Sequence, residues 1–336
     1  MPERPEIAVV SLGGTIAMAP DPDAGGAVPR LGPDELVAAV PQLRNVAGLR
    51  TRVVRQVPGA HLTLEDVVEL ATTIETEIAS GVDGIVVTQG TDTIEEVAFA
   101  LDLLLAARVP VVVTGAMRAP HLAGADGPAN LLDAVRSASS AALRAVGTVV
   151  VLGGEIHAAR FVIKAHTQSP AAFISPLAGP LGWVAEGRPR LTMRPAGEAA
   201  LDLPPDLRPG RAAIVTATLG DDGTLLRAAA GAGLDGIVVE ALGGGHLPAA
   251  MLDALEYALA KMPVVLASRT QAGEILRETY AFPGSERDLL DRGTLSAGWL
   301  SARKARILLA LQLGDQHAGV SLARRFEGYL RDAAPV

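Results

Sequence analysis

The sequence predicts an α/β fold of two domains, each a mostly parallel sheet flanked by helices. Three observations predict it. Short Val/Ile runs alternate with longer amphipathic stretches, the pattern of a parallel sheet covered by helices. Aromatics make up 3% of the chain against 49% for all hydrophobic residues. The cores are therefore built from Val, Leu, Ile and Ala, as buried parallel strands are. Finally, 336 residues exceed the usual size of a single domain.

Strands are expected over 7–11, 85–88, 110–114, 148–152, 212–217, 235–239 and 263–267. Between the first two lies a helix. Val67, Leu70, Ala71, Ile74 and Ile78 recur at three- and four-residue steps, and Thr63 with Asp66 forms a weak capping box. Asp126-Gly127-Pro128 opens another helix, with Asp as cap and Pro in the first turn. The stretch Arg188 to Arg211 holds Pro189, Pro195, Pro204, Pro205 and Pro209 with little periodicity, and reads as a linker. The expected organisation is an N-terminal domain over 1–190, a linker over 191–211 and a smaller C-terminal domain over 212–336. Gly81-Val82-Asp83-Gly84-Ile85-Val86-Val87 is echoed by Gly233-Leu234-Asp235-Gly236-Ile237-Val238-Val239. Two related halves would produce this echo. So would any helix-to-strand turn, which favours Gly and Asp before a Val run.

A net charge of −8 without a basic stretch argues against nucleic acid as a partner. The chain has no cysteine, so disulfides and thiolate nucleophiles are excluded. The apolar run Leu101 to Met117 is broken by Asp102, Arg108 and Pro110, unlike a membrane span. The start of the sequence lacks a basic, then apolar, signal pattern. The expectation is a soluble, cytoplasmic protein with no membrane partner.

In an open parallel sheet, ligands sit beyond the carboxyl ends of the strands. The polar residues expected there are Ser11 and Thr15 after the first strand, and Thr91 and Asp92 after the second. Arg118 follows the third, and Glu155 to Lys164 follow the fourth. No expected strand leads into a Gly-x-Gly-x-x-Gly dinucleotide turn, and neither a phosphate loop nor a Gly-x-Ser-x-Gly elbow occurs. His61, His121, His157, His166, His246 and His317 are scattered without metal-site spacing, and each reads as a surface or loop histidine. A threonine hydroxyl is almost fully protonated at neutral pH and needs a base to attack. A lysine can serve if burial lowers its pKa, and a buried lysine needs a carboxylate partner. Thr91, Asp92 and Lys164 would make such a relay if the fold brought them together. Alternatively, Thr15 satisfies its own turn, and Thr91-Asp92-Thr93 caps a helix whose first turn carries Glu95 and Glu96.

Several ordered motifs resemble the bacterial-type L-asparaginase/glutaminase family. They are Leu12-Gly13-Gly14-Thr15-Ile16-Ala17, Gln89-Gly90-Thr91-Asp92-Thr93-Ile94-Glu95-Glu96, and Gly115-Ala116-Met117-Arg118 with Ala125-Asp126-Gly127-Pro128-Ala129-Asn130-Leu131. Arg160 with Lys164 and Phe173-Ile174-Ser175-Pro176 follow, then Gly293-Thr294-Leu295 and Lys304-Ala305-Arg306-Ile307-Leu308-Leu309. The resemblance implies hydrolysis of L-asparagine to L-aspartate and ammonia through a threonine acyl-enzyme. Thr15, Thr91, Asp92 and Lys164 would be catalytic. Asp92 would also bind the substrate's ammonium group, and backbone near Gly90 and Ala116 would hold the oxyanion and the leaving amide. The resemblance implies no metal or organic cofactor, and a homo-oligomer, either a dimer or a dimer of dimers.

The chain departs from the family pattern around this set. Leu12 stands where a threonine is usual. Gly26 falls where a loop tyrosine is expected, and Gly59 and Ala60 fall near a serine that binds the substrate carboxylate. Gly243-Gly244-Gly245-His246 lacks the usual asparagines, and Tyr280, Glu278 and His246 are candidates for the missing contacts. The short stretch Ala19 to Pro29 reads as a mobile lid or open rim. A different or bulkier amide as substrate, or a binding and sensing role with little turnover, are the competing expectations.

Overall fold

The structure is a computed structural model that describes residues 4–21, 25–106, 108–195, 200–204, 206–315 and 319–334. The chain divides into two compact units, Met1–Leu201 and Asp202–Val336.

In the first unit the strands are β1 (Glu6–Gly13), β2 (Met18–Asp21), β3 (Gly26–Pro29), β4 (Gly48–Val57), β5 (Gly84–Thr88), β6 (Val111–Thr114), β7 (Thr148–Leu152), β8 (Glu155–Ala158), β9 (Ile163–Lys164), β10 (Phe173–Ile174), β11 (Gly182–Ala185) and β12 (Arg188–Leu191). Its helices are α1 (Pro33–Ala38), α2 (Leu64–Ala79), α3 (Ile94–Leu104) and α4 (Gly127–Ala138). Eight strands make one sheet in the order β12-β11-β8-β7-β6-β5-β1-β4. From β4 through β7 the neighbours are parallel, and from β7 through β12 they are antiparallel. Ile7 to Val10 and Ile85 to Val87 are fully buried, and all of β6 is buried. Such strands read as unbroken apolar runs because helices cover both faces. Among the described residues, no helix is long and apolar enough to cross a membrane.

The second unit holds β13 (Ala212–Thr216), β14 (Gly236–Ala241), β15 (Val264–Ser268) and β16 (Leu295–Ser296), all parallel and in chain order. Helices α5 (Thr224–Ala230), α6 (Leu252–Leu259), α7 (Glu286–Asp291), α8 (Ala302–Gly314) and α9 (Leu322–Asp332) complete it. Its aliphatic core joins Ile237, Val239, Leu255, Val264 and Leu266.

The repeated Gly-x-Asp-Gly turn does the same work in both units. Asp83 accepts the N–H of Glu6 at 3.0 Å, and its own N–H donates to the Glu6 carbonyl at 2.7 Å. Asp235 does likewise with Arg211, at 2.7 and 2.9 Å. Each aspartate locks the start of the neighbouring strand, so the shared turn chemistry by itself accounts for the echo.

Three segments correct or extend what the sequence suggests. Arg188–Leu191, read as the beginning of a linker, is an edge strand paired antiparallel with β11. Pro189 fits there because an edge strand has one row of N–H groups with no ladder partner to lose. The stretch Ala19 to Pro29, read as a lid or open rim, forms the antiparallel hairpin β2/β3, with Met18 opposite Pro29 and Asp21 opposite Gly26; residues 22–24 lie outside the described residues. The polar strand β4 was not expected. It lies on the sheet edge, with Val53 55% exposed, and its arginines pair outward: Arg52 with Glu77, and Arg55 with Asp66 and Glu69. Such a strand lacks the apolar run by which its buried neighbours are read.

Candidate active site

The chain leaves β1 toward β4 on one side and leaves β5 toward β6 on the other. Strands β1 and β5 are adjacent, and Ser11 lies opposite Thr88 at their carboxyl ends. Connections that diverge from adjacent parallel strands open a crevice there. The turn with Thr15 and the turn with Thr91 both emerge into this crevice.

Glycine lets the two turns meet. Gly14 has a φ of +82°, a conformation side chains strongly disfavour. A Cβ on Gly14 would lie 2.0 Å from the Gly90 nitrogen and 2.2 Å from its Cα. On the other side of Gly90, a Cβ on Gly59 would lie 3.0 Å from the Gly90 carbonyl oxygen. Three turns therefore pack backbone against backbone. The Gly14 N–H donates to the Val57 carbonyl at 3.1 Å, and the Thr93 hydroxyl donates to the Gly59 carbonyl at 3.1 Å. Thr15 then begins a short 3-10 turn, Thr15–Ala17, in which it is half-buried while Ile16 and Ala17 are buried.

Thr91 is 5% exposed and opens a second 3-10 turn, Thr91–Thr93, that runs into α3. Thr93, at the cap position of α3, makes no side-chain capping bond, so a capping role does not account for these residues. Lys164 reaches them from β9. Its Nζ donates to Thr91 Oγ1 at 2.9 Å and to Asp92 Oδ1 at 2.7 Å. The lysine side chain is 16% exposed and that of Asp92 66%. Asp92 thus meets the lysine Nζ at the solvent edge, and Thr91 lies on the buried side. The structure brings Lys164 to Thr91 and Asp92, from which it is separated by more than seventy positions in the chain.

The loop with Ala116 is held from beneath. Asp126 accepts the N–H of Met117 at 3.0 Å and of Arg118 at 2.8 Å. Asn130 donates to the Gly115 carbonyl and to Asp126, and accepts the N–H of Gly153. Asp126, expected to cap α4, sits at the cap position but makes no side-chain cap bond, because its carboxylate is committed to the loop. Ala116 is fully buried, and Gly115 lies close to Thr91: a Cβ there would meet Thr91 Cγ2 at 3.3 Å.

Other expected residues have local duties. The buried Ser11 hydroxyl accepts the N–H of Gly13 at 3.3 Å, which bends the strand end. The Arg118 guanidinium donates to the Gly124 carbonyl. His157, read as a surface or loop histidine, is instead 1% exposed on β8, with Nδ1 3.0 Å from the Ser175 hydroxyl. Burial in the sheet holds its pKa below the ordinary value, although the Glu155 carboxylate beside it pulls the other way. In the second unit His246 lies 3.2 Å from the buried Glu286 and stacks edge-on with Tyr280 at 4.9 Å. Glu286 itself is held below the usual carboxylate range. Desolvation, the largest single influence, opposes this, but the N–H groups of Tyr280, Glu286 and Thr279 together with His246 outweigh it. His317 lies outside the described residues. No cluster of three or more His, Cys, Asp or Glu is placed to hold a metal ion among the described residues.

Sequence reading missed Asp126 and Asn130 as loop supports and Glu95 as a partner of Lys164. The first two carried a readable signal. An Asp and an Asn four residues apart on a helix share one face, and this face looks toward a glycine-containing loop.

Comparison with known proteins gives a consistent result. Residues 6–196 match the family described as "Asparaginase, N-terminal", and residues 211–326 the "Glutaminase/Asparaginase C-terminal domain". A "Probable L-asparaginase" of Deinococcus radiodurans is 38% identical over 326 residues, covering 92% of this chain and 93% of that protein. An "L-asparaginase" of Bacillus licheniformis is 34% identical, covering 94% of this chain and 97% of its own. The crystal structure of a probable cytoplasmic L-asparaginase from Campylobacter jejuni superposes with a TM-score of 0.86 at 30% identity, over 98% of this chain and 100% of that one.

Proposed function

The chain belongs to the asparaginase family, and on that premise we propose that it hydrolyses the side-chain amide of L-asparagine to L-aspartate and ammonia. It is an amidohydrolase. The observation that carries the catalytic assignment is Lys164 Nζ seated between Thr91 Oγ1 and Asp92 Oδ1, with the turn of Thr15 packed on the turn of Thr91 through Gly14 and Gly90.

In this reading Thr15 and Thr91 are the two catalytic hydroxyls. A hydroxyl oxygen attacks the amide carbon, and its proton passes to the base. With Lys164 neutral, its Nζ takes the Thr91 proton, so the relay runs from Thr91 to Lys164, with Asp92 stabilising the ammonium that forms. The tetrahedral intermediate collapses when the amide nitrogen receives a proton and leaves as ammonia. Water then attacks the threonine ester and releases the acid. Backbone near Gly90 and Ala116 faces the oxyanion and the leaving amide. Fixed dipoles there stabilise charge without reorganising, commonly the largest catalytic contribution. The rigid support of Ala116 by Asp126 and Asn130 serves that requirement. Asp92, on the exposed side, binds the substrate's ammonium group.

Thr15→Ala and Thr91→Ala are each expected to abolish ammonia release from asparagine in a coupled assay. Undiminished turnover in both variants overturns the assignment. A second reading keeps the chemistry and changes the amide. It is favoured by Gly59 and Ala60, which offer no hydroxyl for a substrate carboxylate. A panel of asparagine, glutamine and larger amides, compared by kcat/KM, separates the two. The highest value for asparagine excludes the second reading, and ordinary turnover of any amide excludes a purely binding role.

We also infer a homo-oligomer, a dimer or dimer of dimers. The family resemblance supports it. A cytoplasmic location is inferred as well, and the description of the Campylobacter structure supports it.

A further inference from the structure

We infer that Glu95 is a positioning residue for Lys164, an inference that rests on the relay proposed above. Lys164 does not belong to the eight-stranded sheet. Its strand β9 is two residues long and pairs only with the two residues of β10, Lys164 opposite Phe173 and Ile163 opposite Ile174. So short a pair gives little rigidity on its own. A lysine at the end of a four-carbon stem holds its Nζ to within a few tenths of an ångström only if its backbone is fixed.

Glu95 supplies that fixation. It lies in the first turn of α3, three residues after Asp92 and four after Thr91. Its side chain crosses to β9, where Oε2 accepts the Lys164 main-chain N–H at 2.6 Å. Both ends of Lys164 are therefore tied to one five-residue segment, Nζ to Thr91 and Asp92 and the backbone to Glu95. Any displacement of that segment carries both ends of the lysine with it, and the relay distances are kept.

Burial distinguishes this contact from an ordinary helix-start carboxylate. Glu95 is 3% exposed, whereas its neighbour Glu96 is only half-buried. A carboxylate favours a helix N-terminus just as well from the surface, and taking it out of water is costly unless it is hydrogen-bonded. The short, charge-assisted bond to Lys164 contributes to offsetting that cost.

The test is steady-state ammonia release by Glu95→Ala, Glu95→Gln and Glu95→Asp, with Thr91→Ala and Lys164→Met in parallel and melting temperature recorded for each. Misplacing a catalytic group by about 1 Å costs up to about 100-fold in rate. Glu95→Ala is therefore expected to lower kcat by roughly 10- to 100-fold, with KM changed less than about threefold. Glu95→Gln, whose amide oxygen can still accept the Lys164 N–H, is expected to recover most of kcat. If Glu95→Ala does not fold, Glu95→Asp serves instead. It keeps the charge, falls one methylene short of Lys164, and is expected to lose kcat at nearly unchanged melting temperature. The inference is overturned if kcat stays within twofold of wild type in folded Glu95→Ala or, where that variant does not fold, in Glu95→Asp. It is equally overturned if kcat, KM and melting temperature all worsen together without rescue by Gln. If Thr91→Ala and Lys164→Met keep wild-type turnover, the relay reading itself fails, whatever the Glu95 variants do.

Discussion

Gly14 and Gly90 touch through their backbones: any Cβ on Gly14 would lie 2.0 Å from the Gly90 nitrogen. This contact joins the Thr15 turn to the Thr91 turn at the point where the connections from β1 and β5 diverge. Gly14→Ala must both strain a φ of +82° and push the Gly90 turn away. It is expected to lower kcat by about 100-fold or more, since small misplacements at reacting groups are that costly. Gly231→Ala, whose added methyl would meet nothing nearer than an ordinary 3.5 Å contact, is the control and should keep wild-type activity. Equal activity of the two variants in the ammonia assay would contradict the close-contact account.

Asn130 holds three groups at once: the Gly115 carbonyl, the Asp126 carboxylate and the Gly153 N–H. Replacing it with alanine leaves the buried Gly115 carbonyl without this donor, at about 1–3 kcal/mol, while Asp126 keeps the N–H groups of Met117 and Arg118. A clear drop in the denaturant midpoint is expected, together with a loss of kcat as the Ala116 loop relaxes. Asn130→Asp cannot donate to the Gly115 carbonyl and brings a second negative charge beside Asp126, so it should not rescue. A wild-type denaturation midpoint for Asn130→Ala would remove the support role.

Restoring a serine near the missing carboxylate clamp should give opposite results at two adjacent positions. At Gly59 a side chain would press on the Gly90 carbonyl at 3.0 Å, so Gly59→Ser is expected to lower kcat. Ala60 is exposed, so Ala60→Ser should fold and turn over normally. Measuring kcat and KM for both checks this, and a Gly59→Ser variant at wild-type kcat would show that the turn can yield.

His157 should make stability depend on pH. Burial holds its folded-state pKa below the ordinary value of 6.5, so it stays neutral in the native sheet. As pH falls through about 6.5 the unfolded chain takes up a proton that the native state refuses. Stability from this residue is therefore intact above that pH and is lost progressively below it. The melting temperature is expected to drop between pH 7.5 and 5.5, and more steeply in wild type than in His157→Gln. Identical slopes would show that His157 does not contribute.

The fold was largely legible because the central strands are buried on both faces. Val9, Val86, Val112 and Val149 are apolar neighbours along one sheet, and such runs stand out between amphipathic helices. Edge elements were not legible for the converse reason. The arginines of β4 look outward to acidic partners, and Pro189 disguised β12 as linker. Within the site, Thr15, Thr91, Asp92 and Lys164 were named from motifs. The supporting carboxylates were misread, because Asp126 and Glu95 occupy positions that helix-start chemistry alone explains.

The sequence by itself determined the α/β class, the two glycine turns and the residue types that a hydroxyl–lysine–carboxylate relay needs. Those follow from local rules: apolar runs, turn glycines and side-chain chemistry. Only the tertiary structure decided that Lys164 meets Thr91 and Asp92 at hydrogen-bonding distance, that Gly14, Gly59 and Gly90 stack backbone on backbone, and that Glu95 turns inward to hold the lysine. These are contacts between segments far apart in the chain. Their distances are set by how strands order and helices pack, which no local propensity encodes.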